Sequence, residues 1–190
     1  MRSPILTFSR RVRQTPFTPR IIDAGVGGYT VYNHMLLATF FKSLEDDYKH
    51  LKSAVQLWDV SCERQVEIKG SDALRLLQML TPRLIAPLGH GQCKYIPIVD
   101  QNGGMLNDAV VLEVAPKCYW VSISDSDIFL WISAIAVALK LDVTISEPDV
   151  FVLAVQGPLA EKLLERVFGS SISDIKFFHF GRVPFDSTSF

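Results

Sequence analysis

A tyrosine, a glycine pair and an acid are the residues best suited to ligand chemistry. Tyr95 precedes the run Gly103-Gly104-Met105-Leu106-Asn107-Asp108, and the apolar residues after Asp108 have strand character. Glycines let a ligand approach the backbone closely, and a tyrosine offers a flat face for stacking. A carboxylate with limited water could hydrogen-bond the ring N–H and amino groups of a heterocycle. On spacing alone, the alternative is that residues 102–104 form only a hairpin turn and Asp108 caps or solvates its end.

Other side chains give weaker indications of chemistry. Aromatic faces hold cations well, and Tyr32 and Phe178 are the two aromatic residues favoured for contact with a cationic substrate. Ser61-Cys62 with a histidine base would make a nucleophile, but nothing in the sequence places them together. The histidines lack the spacing of a metal-ligand motif, so no metal site is predicted. They are His34, His50, His90 and His179.

Composition indicates an ordinary globular protein. Of the 190 residues, 48% are hydrophobic and 21% charged, and the net charge of -1 argues against a nucleic-acid partner. The most apolar run, over 128–139, is too short to span a bilayer, so no membrane segment is expected. Three cysteines without CxxC spacing indicate reduced thiols and a cytoplasmic location.

The start of the chain is basic and rich in proline. Arginines occur through residues 1–20 and no acid precedes Asp23. Because the prolines disfavour a long amphipathic helix, a mobile basic arm is favoured over a transit peptide. The predicted organisation is an arm and ordered surface loop over 1–35, an α+β region over 36–180, and a tail over 181–190. The tail's apolar end suggests truncation, or an edge that another chain or domain covers.

Hydrophobic periodicity predicts both helices and strands. Helices are expected over 43–57, from a Ser71 cap to about residue 81, over 128–139 and over 159–168. Strands are expected over 66–68, 95–99, 110–114, 119–122, 143–145 and 152–156, with strand character again at 177–180. Successive strands without intervening helices favour a mixed, largely antiparallel sheet with packed helices, so the predicted fold class is α+β.

Four segments carry a family resemblance when they are taken together and in order. They are 57–61 (Leu-Trp-Asp-Val-Ser), 66–73 (Val-Glu-Ile-Lys-Gly-Ser-Asp-Ala), 103–108 and 153–158 (Leu-Ala-Val-Gln-Gly-Pro). The sequence resembles the glycine-cleavage T-protein (aminomethyltransferase) superfamily, which implies its folate-binding fold. The resemblance implies tetrahydrofolate as cofactor, with Asp108 holding the pterin, Tyr95 flanking it and Val110 lining an apolar floor.

Within that superfamily, the sequence most resembles the branch that demethylates dimethylsulfoniopropionate. Segments 10–18, 29–37, 58–70 and 91–99 carry this likeness. The aminomethyltransferases proper have ser-his-met where this chain has Ser61-Cys62-Glu63, and an acid where it has Asn107. Both departures favour the demethylase branch.

The resemblance implies transfer of a methyl group from the sulfonium of dimethylsulfoniopropionate to N5 of tetrahydrofolate, with Asp108 as the catalytic residue. The products would be methylthiopropionate and 5-methyltetrahydrofolate. A small-molecule sulfonium or amine donor is therefore the expected partner, and a homodimer is left open. The alternatives are an aminomethyltransferase or dimethylglycine-type demethylase, and an inactive folate-binding fragment. The last arises because the family's later gly-tyr-thr-gly-glu stretch and carboxy-terminal barrel do not occur in this sequence.

Overall fold

The computed structural model describes residue 9 and residues 11–89 and 91–183. Within these ranges the α-helices are Thr18–Asp23 (α1), Leu44–Ser53 (α2), Ala73–Leu80 (α3), Ile128–Ala138 (α4) and Ala160–Phe168 (α5), and a 3-10 helix spans Ser170–Asp174. The strands are Gly28–Tyr32 (β1), Met35–Phe40 (β2), Gln56–Asp59 (β3), Gln65–Lys69 (β4), Cys93–Val99 (β5), Met105–Ala115 (β6), Cys118–Ser122 (β7), Thr144–Ser146 (β8) and Leu153–Gln156 (β9).

The main sheet has five strands in the order β5-β6-β7-β4-β8, and every neighbouring pair is antiparallel. Two smaller sheets pair β1 with β2 and β3 with β9, both antiparallel. The predicted α+β class with a largely antiparallel sheet is confirmed. The edge position of β5 also tolerates Pro97, which has no N–H to donate to a further strand.

One face of the main sheet forms the core. Successive strand residues point to opposite faces, so Ile96, Ala109, Val111 and Val121 all point inward and are 0% exposed. The apolar sides of α3 and α4 cover this face, and both helices contribute to the same buried cluster. We call the opposite face, which carries Tyr95, Asp108, Val110 and Ser122, the outer face of the sheet.

The amino-terminal region differs from its prediction. The ordered surface loop expected over 28–35 is instead β1 and the first residue of β2, joined by a tight turn in which Asn33 and His34 have φ of 48° and 62°. The prediction of a mobile arm is wrong at Arg13. Its guanidinium pairs with Glu147 at 2.5 Å, and its backbone N–H donates to the His34 carbonyl at 2.6 Å. The arginines at positions 2 and 10 lie outside the described residues.

Several helices and strands begin or end at residues other than those predicted from the sequence. Helix α2 ends at Ser53 rather than at residue 57, because residues 56–59 pair with β9 as a strand. Ser71 does not cap α3; Asp72 holds that position and the Ser71 hydroxyl donates to Asp142 at 2.6 Å. Residues 177–180 form a turn with one isolated bridge rather than a strand. Of the predicted tail, residues 184–190 lie outside the described ranges. No helix in the described part is long and apolar enough to cross a membrane.

Candidate functional site

Tyr95, Asp108 and Val110 meet on the outer face of the main sheet. Strand β6 begins at Met105, so Asp108 lies within the strand rather than in a loop before it. Tyr95 is directly opposite Val110, and Pro97 is opposite Asp108. The Tyr95 hydroxyl lies 3.5 Å from the Asp108 carboxylate, which is long for a direct hydrogen bond between oxygens. The three residues expected to contact a pterin therefore share one surface.

The carboxylate of Asp108 is exposed, so the prediction that it has limited water is wrong. Asn107 is 4% exposed and Ala109 is 0% exposed, whereas Asp108 between them points away from the core into solvent. Because strand side chains alternate between faces, an acid beside an apolar run is not buried by its neighbours in sequence. The side chain is instead available to accept hydrogen bonds from a ligand that covers the outer face.

The glycine pair builds the hairpin turn between β5 and β6. The Asp100 carboxylate accepts the N–H groups of Asn102 and Gly104, both at 2.8 Å. Gly103 has φ of 81°, and a Cβ on Gly104 would lie 2.9 Å from the Asp100 carboxylate. The glycines thus serve the turn itself, as the alternative interpretation held, and Asp108 is not at the end of that turn.

Asn107 positions the segment beside the site, a role that the sequence did not indicate. Its amide nitrogen donates to the Ser124 carbonyl at 3.1 Å and to the Ser126 hydroxyl at 2.7 Å. Its carbonyl accepts the Ser124 N–H at 3.0 Å. The Ser124 hydroxyl in turn donates to the Asp108 carbonyl at 3.0 Å. A carboxamide both donates and accepts here, which an ionised acid at position 107 could not do.

The β1–β2 hairpin brings Tyr32 to the same place. The buried Asn33 side chain donates to the Cys62 carbonyl at 3.0 Å and to the Ser124 carbonyl at 2.7 Å. The Tyr32 hydroxyl lies against the Ser124 side chain and the Asp125 backbone, and burial raises the pKa of Tyr32. Tyr32 and Asp108 therefore share Ser124 as a neighbour.

Glu63 also belongs to this group, although sequence reasoning did not select it. The Ile123 N–H donates to the Arg64 carbonyl at 3.0 Å, which continues the pairing of β4 with β7 beyond the strand ends. Glu63 is therefore opposite Ser124, whose other neighbour is Asp108. Displacement of water by surrounding protein raises the pKa of the Glu63 carboxyl, and the charge of Asp108 raises it further. The sequence did offer one indication of its role, because Ser61-Cys62-Glu63 differs from the ser-his-met of the aminomethyltransferases proper.

Phe178 is the one predicted site residue whose ring is not placed in this group. Its carbonyl accepts the Cys93 N–H at 2.7 Å, which brings its backbone beside the start of β5, two residues before Tyr95. Phe178 is 40% exposed, and its ring meets the Phe177 ring edge-on at 5.0 Å between centroids. A contact between Phe178 and a substrate stays a prediction.

Replacing Asn33 tests the anchor of the hairpin. Asn33→Gly keeps the positive φ but removes both side-chain donors, so we expect a loss of about 1–2 kcal/mol in the free energy of unfolding. Its matched control is His34→Gly at the next turn position, where we expect a change below about 0.5 kcal/mol. Chemical denaturation measures both; equal effects would mean that the Asn33 hydrogen bonds do not hold the hairpin.

The thiol of Cys62 is structural rather than nucleophilic. Cys62 is 2% exposed, and burial followed by the charge of Glu63 raises its pKa to about 11. Because the thiolate is the reactive form, we expect Cys62 at pH 8 to react with iodoacetamide at least about 100-fold more slowly in the native than in the urea-unfolded chain. Mass spectrometry of quenched samples gives both rates, and native labelling at the unfolded rate would contradict the assignment.

Two further features of the described residues bear on where a ligand could bind. No group of three or more His, Cys, Asp or Glu side chains could hold a metal ion there. A cavity of about 690 Å³ lies between α1, β2, α2 and β3, with Phe40, His50 and Trp58 in its walls. None of the predicted site residues lines it. The motif residues and this cavity are therefore two separate candidate locations for a ligand.

Comparison with protein families identifies the class of protein. The model of the GCVT N-terminal domain, the amino-terminal domain of the glycine-cleavage T-protein family, matches residues 18–189. The chain belongs to this family, and the predicted folate-binding fold of the T-protein superfamily is confirmed at the level of the family and its fold.

Individual relatives place the chain more closely. It is 54% identical over 177 residues to dimethylsulfoniopropionate demethylase of Ruegeria pomeroyi, covering 93% of this chain and 49% of the relative. It is 30% identical over 163 residues to an aminomethyltransferase of Bacillus cereus, covering 84% and 44% respectively. The crystal structure of aminomethyltransferase T from Bartonella henselae superposes with a TM-score of 0.76 at 18% identity, covering 88% and 46%. The chain spans about half the length of the relatives it matches.

Proposed function

We propose that this chain supplies the pterin-binding surface of a tetrahydrofolate-dependent methyltransferase that demethylates dimethylsulfoniopropionate. The observation that carries the proposal is the convergence of Tyr95, Val110 and Asp108 on one face of the sheet. The 54% identity to a dimethylsulfoniopropionate demethylase supports this donor over the other donors used in the family.

The residues on the outer face suit a flat heterocycle with a polar edge. Tyr95 and Val110 are cross-strand partners and present adjoining aromatic and aliphatic surface. Asp108 stands diagonally across from Tyr95, so its carboxylate can accept N–H donors from the edge of a ring that lies over the pair. Asp108 is exposed, so a ligand can reach its carboxylate.

The reaction mainly requires that the methyl donor and N5 of tetrahydrofolate be aligned. A sulfonium is already an activated methyl donor: its S–CH₃ bond breaks, the sulfur keeps the electron pair as a neutral thioether, and the methyl group bonds to N5 of tetrahydrofolate as N5 loses its proton. Asp108 and Tyr95 would fix the acceptor ring, and Tyr32 would offer an aromatic face to the cation. The contribution of these residues is positioning, which alone can lower a barrier by about 7–11 kcal/mol in well-aligned systems.

A second candidate is transfer of an aminomethyl or amine-borne methyl group, which the likeness to the Bacillus cereus aminomethyltransferase favours. Both functions use the same folate surface and differ in the donor. A cytoplasmic location, a homodimer and an α+β unit over 36–180 remain further expectations of this proposal.

A methyl-transfer assay separates these possibilities. The chain is incubated with tetrahydrofolate and either dimethylsulfoniopropionate, dimethylglycine, or the aminomethylated donor of glycine cleavage, and 5-methyl- or methylene-tetrahydrofolate is measured by mass spectrometry. We expect 5-methyltetrahydrofolate with the sulfonium alone. Product from an amine donor alone would favour the second candidate, and folate binding without turnover would favour a folate-binding fragment.

A further inference from the structure

Glu63 places a negative charge near Tyr32, and this charge has no role in the proposed binding of tetrahydrofolate. Glu63 precedes β4, Ser124 follows β7 and Asp108 lies in β6. The pairing of Arg64 with Ile123 and the Ser124–Asp108 hydrogen bond place these three residues in one row on the outer face. Adjacent strands lie about 4.8 Å apart, so the backbones that bear the two acids are separated by roughly 10 Å.

Tyr32 lies beside Ser124, the middle residue of this row. Its hydroxyl contacts Ser124 in the middle of the row, and the charges of Glu63 and Asp125 both act on it. A tyrosine ring with carboxylates nearby favours a compact cation, because the ring face and the charges attract positive charge together.

No cation of the protein neutralises Glu63 within the described ranges. The adjacent Arg64 pairs with Glu147 at 2.8 Å and with Asp127 at 3.7 Å instead, and no ion pair includes Glu63. Glu63 is also an exposed residue, so a ligand can reach it. Its unpaired charge is therefore available to a positively charged ligand beside Tyr32.

We propose that Glu63 is a specificity-determining residue that selects a positively charged methyl donor over uncharged analogues. This inference rests on the proposed function and deepens it. Glu63 takes no part in bond breaking; it attracts the sulfonium to the Tyr32 end of the row while Asp108 serves the acceptor ring.

The charge on Glu63 gives the inference a pH signature. The titratable groups around it are Tyr32, Cys62 and Asp108, and Asp125 also acts on Tyr32. Since the pKa of Glu63 is raised, first by loss of water and then by Asp108, the residue is protonated at acidic pH and gains its charge as the pH rises. Affinity for a cation should rise over the same interval.

The test compares dimethylsulfoniopropionate with methylthiopropionate, which lacks the positive charge but keeps the carboxylate. Their dissociation constants are measured by NMR titration for the wild-type chain, Glu63→Gln and the control Glu67→Gln. Glu67 also lies on the outer face, in β4, where its carboxylate accepts the indole N–H of Trp120 at 2.9 Å. Tetrahydrofolate affinity and the unfolding midpoint are measured for each variant.

We expect Glu63→Gln to lower the preference for the sulfonium about fivefold to tenfold and to abolish its increase with pH, with tetrahydrofolate affinity unchanged. Glu67→Gln should change the preference less than twofold. An unchanged preference in Glu63→Gln, with tetrahydrofolate still bound, would overturn the role of Glu63 and leave the proposed function standing. A wild-type chain that binds no tetrahydrofolate would overturn both.

Discussion

Asp108→Asn is expected to weaken tetrahydrofolate binding by about 1.5–3 kcal/mol, which is the usual contribution of a hydrogen bond to a charged group. The exchange keeps the shape of the side chain but removes its charge and one of its two acceptor oxygens. Because the wild-type carboxylate is exposed and makes only a 3.5 Å approach to the Tyr95 hydroxyl, the free energy of unfolding should change by less than about 0.5 kcal/mol. Calorimetric titration and chemical denaturation give the two quantities.

A control separates a specific contact from a general loss of charge. Asp23→Asn removes the same charge at an exposed position on α1 and should leave the affinity within a factor of two. Tyr95→Phe, which retains the ring, should weaken binding less than Tyr95→Ala. If Asp108→Asn binds tetrahydrofolate as tightly as the wild type, Asp108 does not contact the pterin.

Gly157→Ala is expected to destabilise the fold by about 3 kcal/mol or more. Gly157 has φ of 116°, and a Cβ there would lie 2.4 Å from the Ala54 carbonyl oxygen and 3.0 Å from that of Leu51. Both contacts are with backbone at the end of α2, which cannot yield as a flexible side chain could. The Leu159 N–H also donates to the Ala54 carbonyl at 3.2 Å. The absence of a side chain at Gly157 thus lets the turn between β9 and α5 pack closely against the end of α2.

The matched substitution is Gly169→Ala. Gly169 also has positive φ, at 86°, but a Cβ there would meet no atom within 4 Å. Backbone strain alone should cost about 1–3 kcal/mol at this position. Chemical denaturation of both variants therefore isolates the collision with Ala54. Equal losses would show that the Gly157 turn relaxes without disturbing α2, and that close packing is not the reason for glycine in this motif.

Periodicity predicted the sheet well because strand alternation is a local property. Val66, Glu67 and Ile68 alternate in the sequence as they do between the two faces of the sheet. The strand around Val111 is recognisable instead by its run of apolar, β-branched residues. The end of α2 was placed too late because pairing between Gln56 and Gln156, far apart in the chain, converts the last predicted helical residues into a strand. Such a tertiary contact leaves no local mark.

The candidate site was predictable only in part. Tyr95 and Asp108 were selected by residue type, and the family resemblance gave these two and Val110 their roles. The three do meet on one face, but the burial expected of Asp108 ignored the alternation that exposes it. Asn33 and Asn107 were missed, because an asparagine whose partners lie some 17 to 92 residues away gives no signal in sequence. These residues join the Tyr32 hairpin to the sheet.

Isotope-labelled NMR can show whether a pterin lies on the outer face of the main sheet. Titration with 5-methyltetrahydrofolate should shift the backbone amides of Tyr95, Asp108, Val110 and Ser124 most strongly, and those around Phe40, His50 and Trp58 least. If the largest shifts instead occur around Phe40, His50 and Trp58 in the walls of the 690 Å³ cavity, with the outer face unaffected, the pterin does not bind on the sheet.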